Sequence, residues 1–148
     1  MNDKCSNGFK RFCIKNDKIL SEFDSHTTTM NIQNIVNKVY PIIAKDYNSN
    51  AKVELYSNIY ERLNSIPAIL EYENYAEYSW IDDKIYLYTD HLENEEDVIR
   101  SLIHECVHSN QCHEVYIAYY KCGLDYDTHP YEIEAEYEEE KWKNYENI

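Results

Sequence analysis

Two histidines lie four residues apart in the segment IHECVHSNQ, which runs from Ile103 to Gln111, and a glutamate follows the first of them. If this segment is helical, His104 and His108 lie one turn apart on the same face, close enough to bind one cation. Glu105 then lies to one side of the pair, where it reaches a water on the cation rather than the cation itself. The pattern therefore indicates a catalytic zinc site with two imidazole ligands and a general base.

The composition makes this pattern uncommon by chance. The chain has 148 residues and six histidines, and shuffling it gives roughly 0.03 HExxH matches per chain. The alternative interpretation is an exposed helix face that carries two histidines and binds no metal.

A catalytic zinc ion needs a third protein ligand and a position left for water. Candidate ligands follow in THPYEIEAEYEEEK, residues 128–141. On a helical wheel that takes Ile133 as its reference, Glu134 falls on the side that carries the aromatic residues. The other acids form a stripe that favours solvent: Glu132, Glu136 and Glu140. We therefore predict Glu134 as the third ligand and keep Glu132 as the second choice.

Two further residues of this segment are open to more than one interpretation. Glu138 lies one turn beyond Glu134, so it is either a competing ligand or a residue that supports the site. His129 is an alternative ligand, a donor to a ligand, or a residue of the turn before the last helix.

HECVHSNQ followed downstream by HPYEIEAE resembles the small HExxH zinc metallopeptidases of bacteria and phages. In that family a helix with HExxHxxQ precedes a helix with (N/H)PxExEA. The matching positions are His104, Glu105, His108, Gln111, His129, Pro130, Glu132, Glu134 and Ala135. The resemblance covers roughly residues 75–145, and the chain departs from the usual pattern at Cys106 and Asn110.

The resemblance implies one Zn2+ bound by the two histidines and a glutamate of the second motif, as in gluzincins. It also implies that Glu105 is the general base, and that a short antiparallel sheet precedes the active-site helix. Cys106 falls on the apolar face, so we expect a buried thiol there rather than a ligand.

The elements that must position these residues predict an α+β fold, and the resemblance implies that it is of the minimal zincin type. We expect an N-terminal helix in TTMNIQNIVNKVYPIIAKDY, capped by Thr28 or Thr29 and kinked or split at Pro41. AKVELYSNIYERL is compatible with a strand and then a short helix, but its pattern does not decide the assignment. Residues 67–90 indicate two or three antiparallel strands with a turn at Asp82 and Asp83.

The two helices that carry the site have clear boundary signals. Asn94 is expected to cap the HExxH helix, whose apolar face comprises Val98, Ile99, Leu102, Ile103, Cys106 and Val107. Gly123 is expected to end the helical structure that follows. Pro130 suits the first turn of the C-terminal helix, which would carry the third ligand.

We divide the chain into an N-terminal segment of uncertain order, residues 1–28, and a single zincin-like metallopeptidase domain, residues 29–148. A hairpin around Asn16 and Asp17 is one possibility for the first segment.

Charge and cysteine content restrict the partners and the compartment. The formal net charge is −14, which disfavours nucleic acids and anionic membrane surfaces. Five cysteines form no CxxC pair and indicate reduced thiols. With no apolar run of the length of a signal peptide or a membrane span, we expect a cytoplasmic monomer.

The predicted function is that of a zinc-dependent metalloendopeptidase whose partner is a protein or peptide substrate. We expect a tyrosine to stabilise the oxyanion, the candidates being Tyr116, Tyr120, Tyr126 and Tyr131. If KIYLY is an edge strand, it would pair with an extended substrate. The alternative is a non-catalytic binding or regulatory module that keeps the zincin scaffold and its metal.

Overall fold

The structure is a computed structural model that describes residues 30–64 and 75–148. These residues form an α+β fold of five α-helices and one three-stranded mixed sheet. The predicted N-terminal segment 1–28 and its hairpin lie outside the described residues. So do Thr28, Thr29 and the first part of the predicted strand region, up to residue 74.

The order of the elements is the one predicted from the sequence. They are α1 (Ile32–Asp46), β1 (Lys52–Tyr56), α2 (Ile59–Leu63), β2 (Ala76–Ser79), β3 (Lys84–Tyr88), α3 (Glu95–Ser109), α4 (His113–Lys121) and α5 (Pro130–Glu139). Short 3-10 helices cover Thr89–His91, Tyr126–Thr128 and Glu140–Tyr145. In the part of the chain that the structure describes, no helix combines the length and apolar character needed to span a bilayer.

The sheet has the strand order β1-β3-β2 and is not purely antiparallel. β2 and β3 form the predicted antiparallel hairpin, whereas β1 pairs with β3 in parallel. The condition under which KIYLY would pair with a substrate is not met, because β3 lies between the other two strands and its backbone is paired on both sides. Four of its five residues are buried, as expected of a strand in the middle of a sheet.

The hairpin turn lies at the predicted position. Asp83 has a φ of 56°, a left-handed conformation that a short polar side chain tolerates. Its amide donates to the carbonyl of Ser79 at 2.8 Å, which closes the turn. Trp80, at the start of this turn, is thereby held at the end of β2 nearest to the histidine pair.

Helix α1 begins at Ile32 and is capped by Asn31, not by Thr28 or Thr29 as predicted. The Asn31 side chain accepts a hydrogen bond from the amide of Asn34 at 3.0 Å. Pro41 does not split the helix, which runs on to Asp46. Val36, Val39 and Ile43 are buried on one face, and this burial offsets the hydrogen bond that proline cannot donate.

Helix α3 is the centre of the fold and packs against α1, α5, β2 and β3. Asn94 caps it as predicted, accepting from the amide of Asp97 at 2.8 Å. Its predicted apolar face is buried throughout. The opposite face carries the two histidines and is covered by α5, so both sides of the helix are enclosed.

Two residues mark the connection between α4 and α5, the helix that packs against α3. Helix α4 ends at Lys121, and Gly123 follows with a φ of 103°, a conformation that favours glycine. Pro130 is the first residue of α5, where its missing amide hydrogen costs no helical bond. Both predictions are confirmed.

Candidate metal centre

His104 and His108 both approach one oxygen of the carboxylate of Glu132. The distances to Glu132 Oε1 are 3.0 Å from His104 Nε2 and 3.2 Å from His108 Nε2. The two imidazole rings lie 4.8 Å apart between centroids and at 78° to each other. One ligand atom from each residue lies within 4.8 Å of the other two. The predicted histidine pair therefore meets a carboxylate of the last helix.

That carboxylate is Glu132 and not Glu134, which corrects the choice made from the helical wheel. Glu134 is exposed, and its Oε1 accepts a hydrogen bond from Gln111 Nε2 at 2.8 Å. The wheel failed because it took the side with the aromatic residues as the inward side and continued the helix to Tyr145, whereas α5 ends at Glu139 and a 3-10 helix follows. The residues of α5 that are buried are instead Glu132, Ala135 and Glu139.

Glu138 does not reach the site either. Its Oε1 accepts from the hydroxyl of Tyr47 at 2.8 Å and pairs with Lys141 at 2.9 Å. Of the interpretations left open for Glu138, neither a ligand nor a support of the histidine pair fits this position.

His129 caps helix α5. Its Nδ1 accepts from the amide of Tyr131 at 3.1 Å, and its Nε2 lies 2.9 Å from the carbonyl of Tyr116 and so donates to it. Both ring nitrogens are therefore committed, which excludes His129 as a ligand and supports the role in the turn. The cap also fixes the first turn of α5, in which Glu132 lies.

The environment of His108 determines which nitrogen carries the proton. His108 Nδ1 lies 2.7 Å from Gln111 Oε1. The amide nitrogen of Gln111 donates to the carbonyl of Tyr131 at 3.1 Å and to Glu134, so the oxygen must face the histidine. His108 therefore donates from Nδ1 and presents the lone pair of Nε2 to the site.

His104 has the same arrangement with a charged acceptor. Its Nδ1 lies 2.5 Å from Glu139 Oε2, and Glu139 is fully buried. Arg100 lies on the other side of that carboxylate, with Nη1 3.7 Å from Glu139 Oε1. A carboxylate behind the outer nitrogen of an imidazole orients the ring and makes it a stronger metal ligand.

Glu139 was not among the candidate residues considered from the sequence. The available signal was its spacing, since Glu139 lies two helical turns after Glu132 and on the same face. This spacing points to Glu139 only if Glu132 is the ligand, so the choice of Glu134 concealed it.

Without a cation, the cluster is a buried group of strongly interacting charges. Burial opposes protonation of His104, but its hydrogen bonds with Glu132 and Glu139 outweigh this and hold its pKa well above the usual value. Burial alone would raise the pKa of Glu132, yet the two imidazoles hold it well below the ordinary value. Protons on the imidazoles thus take the place that a cation would hold.

Glu105 is different, because its carboxylate has no partner to compensate for burial. It is fully buried, and within residues 30–64 and 75–148 neither of its oxygens has a hydrogen-bond partner. Burial raises the pKa of the Glu105 carboxyl to about 7, although the nearby histidines act in the opposite direction. An ionisable group with this pKa is suited to exchange protons at neutral pH.

Aromatic side chains surround the pair. Trp80 lies 5.8 Å from the ring of His108 and donates from Nε1 to the carbonyl of Gln111 at 3.1 Å. Tyr116 donates its hydroxyl to Glu132 Oε2. Tyr126, another of the tyrosines considered from the sequence, donates instead to Glu136 at 2.6 Å.

The residues present fit a zinc ion. Zinc bonds of about 2.0–2.1 Å in tetrahedral geometry separate neighbouring ligand atoms by about 3.3 Å. The distances from the two Nε2 atoms to Glu132 Oε1, 3.0 and 3.2 Å, are close to this value. Three carboxylates, those of Glu105, Glu132 and Glu139, face two imidazoles and the guanidinium of Arg100. A dication would bring this group to a formal charge of zero, with the imidazoles neutral.

Cys106 is not part of this donor set. It is buried on the opposite, apolar face of α3, as predicted, and burial raises the pKa of its thiol to about 12. A thiol with this pKa is protonated at neutral pH and is a poor ligand.

Comparison with known proteins finds no matching family model, no matching curated protein and no matching solved structure. The interpretation of the site therefore depends on the residues and on their geometry.

Proposed function

We propose that this protein is a zinc-dependent metalloendopeptidase of the minimal zincin type that hydrolyses a protein or peptide substrate. The observation that carries the proposal is the convergence of His104 Nε2, His108 Nε2 and Glu132 Oε1 within 4.8 Å, beside a buried glutamate whose oxygens have no partner among the described residues. The resemblance of the two sequence motifs to small HExxH metallopeptidases supports the same conclusion.

In this proposal His104, His108 and Glu132 hold the metal. A zinc ion bound there supplies Lewis acidity, which lowers the pKa of a water and polarises a peptide carbonyl. Glu105 accepts the proton of the attacking water and passes it to the leaving amine.

Glu139 and Gln111 keep the imidazoles in the form that binds metal. Each accepts the Nδ1 proton of one histidine, so Nε2 is the ring nitrogen that would bind the metal. Because both acceptors are fixed by other contacts, the rings are oriented before a metal arrives. This orientation favours metal binding, and a bound cation would displace the protons that the imidazoles hold in the metal-free site.

One observation favours a second candidate, the non-catalytic module stabilised by a metal. His104, Glu105, His108 and Glu132 are all at most 1% exposed. A structural zinc site is enclosed, whereas a catalytic site must admit a substrate. The unpartnered Glu105 argues against this candidate, since a structural site has no use for a buried carboxylate beside its ligands.

The experiment that separates the two candidates is Glu105→Gln in the full chain, assayed with a broad peptide library. We expect the variant to retain one zinc per chain and to lose hydrolysis by at least about a hundredfold, because general-base catalysis contributes about 10²–10⁴. Glu114→Gln, at an exposed glutamate of α4, is the matched control and should cleave like the wild type.

Wild-type protein that binds one zinc and cleaves no peptide would replace the peptidase by the structural module. Unchanged hydrolysis in Glu105→Gln would refute the assigned base.

A further inference from the structure

We infer that Tyr116 is a positioning residue that restricts Glu132 to binding the metal through a single oxygen. The inference rests on the metal site of the proposed function but does not depend on peptide hydrolysis.

The two oxygens of Glu132 have different partners. Oε1 faces the two imidazoles at 3.0 and 3.2 Å, while Oε2 accepts the hydroxyl of Tyr116. Glu132 is 1% exposed and Tyr116 is 2% exposed, so water does not compete freely for either group. The hydroxyl therefore determines which oxygen remains available to a cation.

The ring of Tyr116 is held in place by packing. It contacts His108 edge-on, with centroids 5.5 Å apart at 87°, and lies 5.0 Å from Trp80 and 4.4 Å from His129. These neighbours belong to α3, to the hairpin turn and to the cap of α5. A side chain fixed from three directions presents its hydroxyl at one position.

The backbone of Tyr116 is tied to the same turn of α5. Its carbonyl accepts from Nε2 of His129, the residue that caps α5 three positions before Glu132. Tyr116 of α4 thus contacts both the cap of α5, through His129, and the carboxylate of Glu132. The position of Glu132 is consequently set from outside its own helix.

This arrangement has a consequence for coordination. A carboxylate with both oxygens free can bind a cation through either or both of them. Turning Oε2 toward the metal would break the hydrogen bond that it accepts from the hydroxyl of Tyr116, and this opposes binding through both oxygens. Binding through Oε1 alone leaves room for the water that a catalytic zinc site requires. The hydroxyl of Tyr116 is thereby committed to the ligand and is not the oxyanion donor considered from the sequence.

The test replaces zinc by Co2+ in the full-length wild type and in Tyr116→Phe, which removes one oxygen atom and keeps the ring. Four-coordinate Co2+ absorbs visible light much more strongly than five-coordinate Co2+. We expect the variant to show a clearly weaker visible band, and its zinc affinity, measured by chelator competition, to change by about tenfold or more. The matched control is Tyr126→Phe, which also removes a hydroxyl bonded to a glutamate and should leave both readouts unchanged.

Identical Co2+ spectra and zinc affinities in Tyr116→Phe and the wild type would overturn the inference. If Tyr116→Phe does not fold, a crystal structure of the zinc-bound wild type decides: one oxygen of Glu132 within about 2.2 Å of the zinc supports the inference, and both oxygens at bonding distance overturn it. A wild type that binds zinc without cleaving peptides would refute the proposed function, and the spectra would still decide the role of Tyr116. A wild type that binds neither metal would refute both.

Discussion

Helices α3 and α5 supply the same candidate site but are held in the fold by different forces. Helix α3 buries six apolar residues on one face and the histidine pair on the other. Helix α5 has ten residues, of which only Glu132, Ala135 and Glu139 are buried, while Ile133 and Tyr137 are 51% and 67% exposed. The helix with the histidines is anchored by its core, and the helix with the carboxylates is anchored largely by polar contacts.

Because α5 is held largely by polar contacts, its packing against α3 depends on the charge state of the site. Apolar burial contributes about 25 cal/mol per Å² whatever ions are present. Buried charges stabilise a helix only while their partners remain, and removing one partner is strongly destabilising. The aromatic anchors Trp142 and Tyr145 follow in the 3-10 helix, so the first turns of α5 depend most on the site.

The largest effect is expected for Glu132→Gln. Because this change removes the only charged ligand, zinc affinity should fall by at least about a hundredfold, beyond the usual loss for a residue that merely supports a ligand. Isothermal titration or chelator competition measures it.

Glu134→Gln is the control for Glu132, since it changes a glutamate of the same helix that lies on the exposed side. It should bind zinc within about twofold of the wild type. A large loss in Glu134→Gln together with normal binding in Glu132→Gln would restore the choice made from the helical wheel.

The next effect concerns Glu105, the buried acid of α3, in metal-free protein. Its folded-state pKa is about 7 against an ordinary 4.5, so the folded state binds its proton more tightly than the unfolded state. Stability is therefore lost as pH rises from about 4.5 to about 7, by up to about 3 kcal/mol.

Glu105→Gln removes this contribution, so its gain in unfolding free energy over the wild type should be small near pH 4.5 and largest above pH 7. Denaturant unfolding with a chelator present measures the difference. A difference that does not change with pH would show that Glu105 does not titrate as a buried acid.

A smaller effect is expected for Glu139→Gln, which keeps an acceptor for His104 Nδ1 but removes the negative charge. Zinc affinity should fall by about 10- to 100-fold. Glu138→Gln is the control, because Glu138 lies next in the chain and bonds to Tyr47 and Lys141 instead. Equal losses in the two variants would mean that general negative charge matters and the contact with His104 does not.

The smallest effects come from the helix caps and contrast the two helices directly. Asn94→Ala and His129→Ala should each cost about 0.5–2 kcal/mol of stability. Only His129→Ala should also weaken zinc binding, since this cap lies three residues before Glu132. His129→Asn, which keeps a capping acceptor, should recover most of the stability. If both alanine variants reduced zinc binding equally, zinc binding would depend no more on the cap of α5 than on the cap of α3.

Much of α3 was predictable because its signals agree. The cap at Asn94, the apolar spacing and the pair His104 and His108 all point to one helix with two faces, and the structure has this arrangement. The strand order was not predictable, because KIYLY is as apolar as an inner strand and as short as an edge strand. Its pairing with β1 depends on a contact distant in sequence.

The face of α5 was not predictable from hydrophobicity, for a physical reason. A helical wheel assumes that apolar residues face inward, and α5 turns two glutamates inward instead. Their burial is compensated by His104, His108, Tyr116 and Arg100, which lie on other elements. The sequence kept Glu132 only as the second choice of ligand. The tertiary contacts are what identify Glu132, and not Glu134, as the residue that faces the histidines.

The most direct test of the account is a crystal structure of the zinc-soaked protein with diffraction data collected on both sides of the zinc absorption edge. The account predicts one anomalous peak about 2.0–2.2 Å from His104 Nε2, His108 Nε2 and a single oxygen of Glu132. A peak bound by Glu134, or no peak near the two histidines, would contradict it.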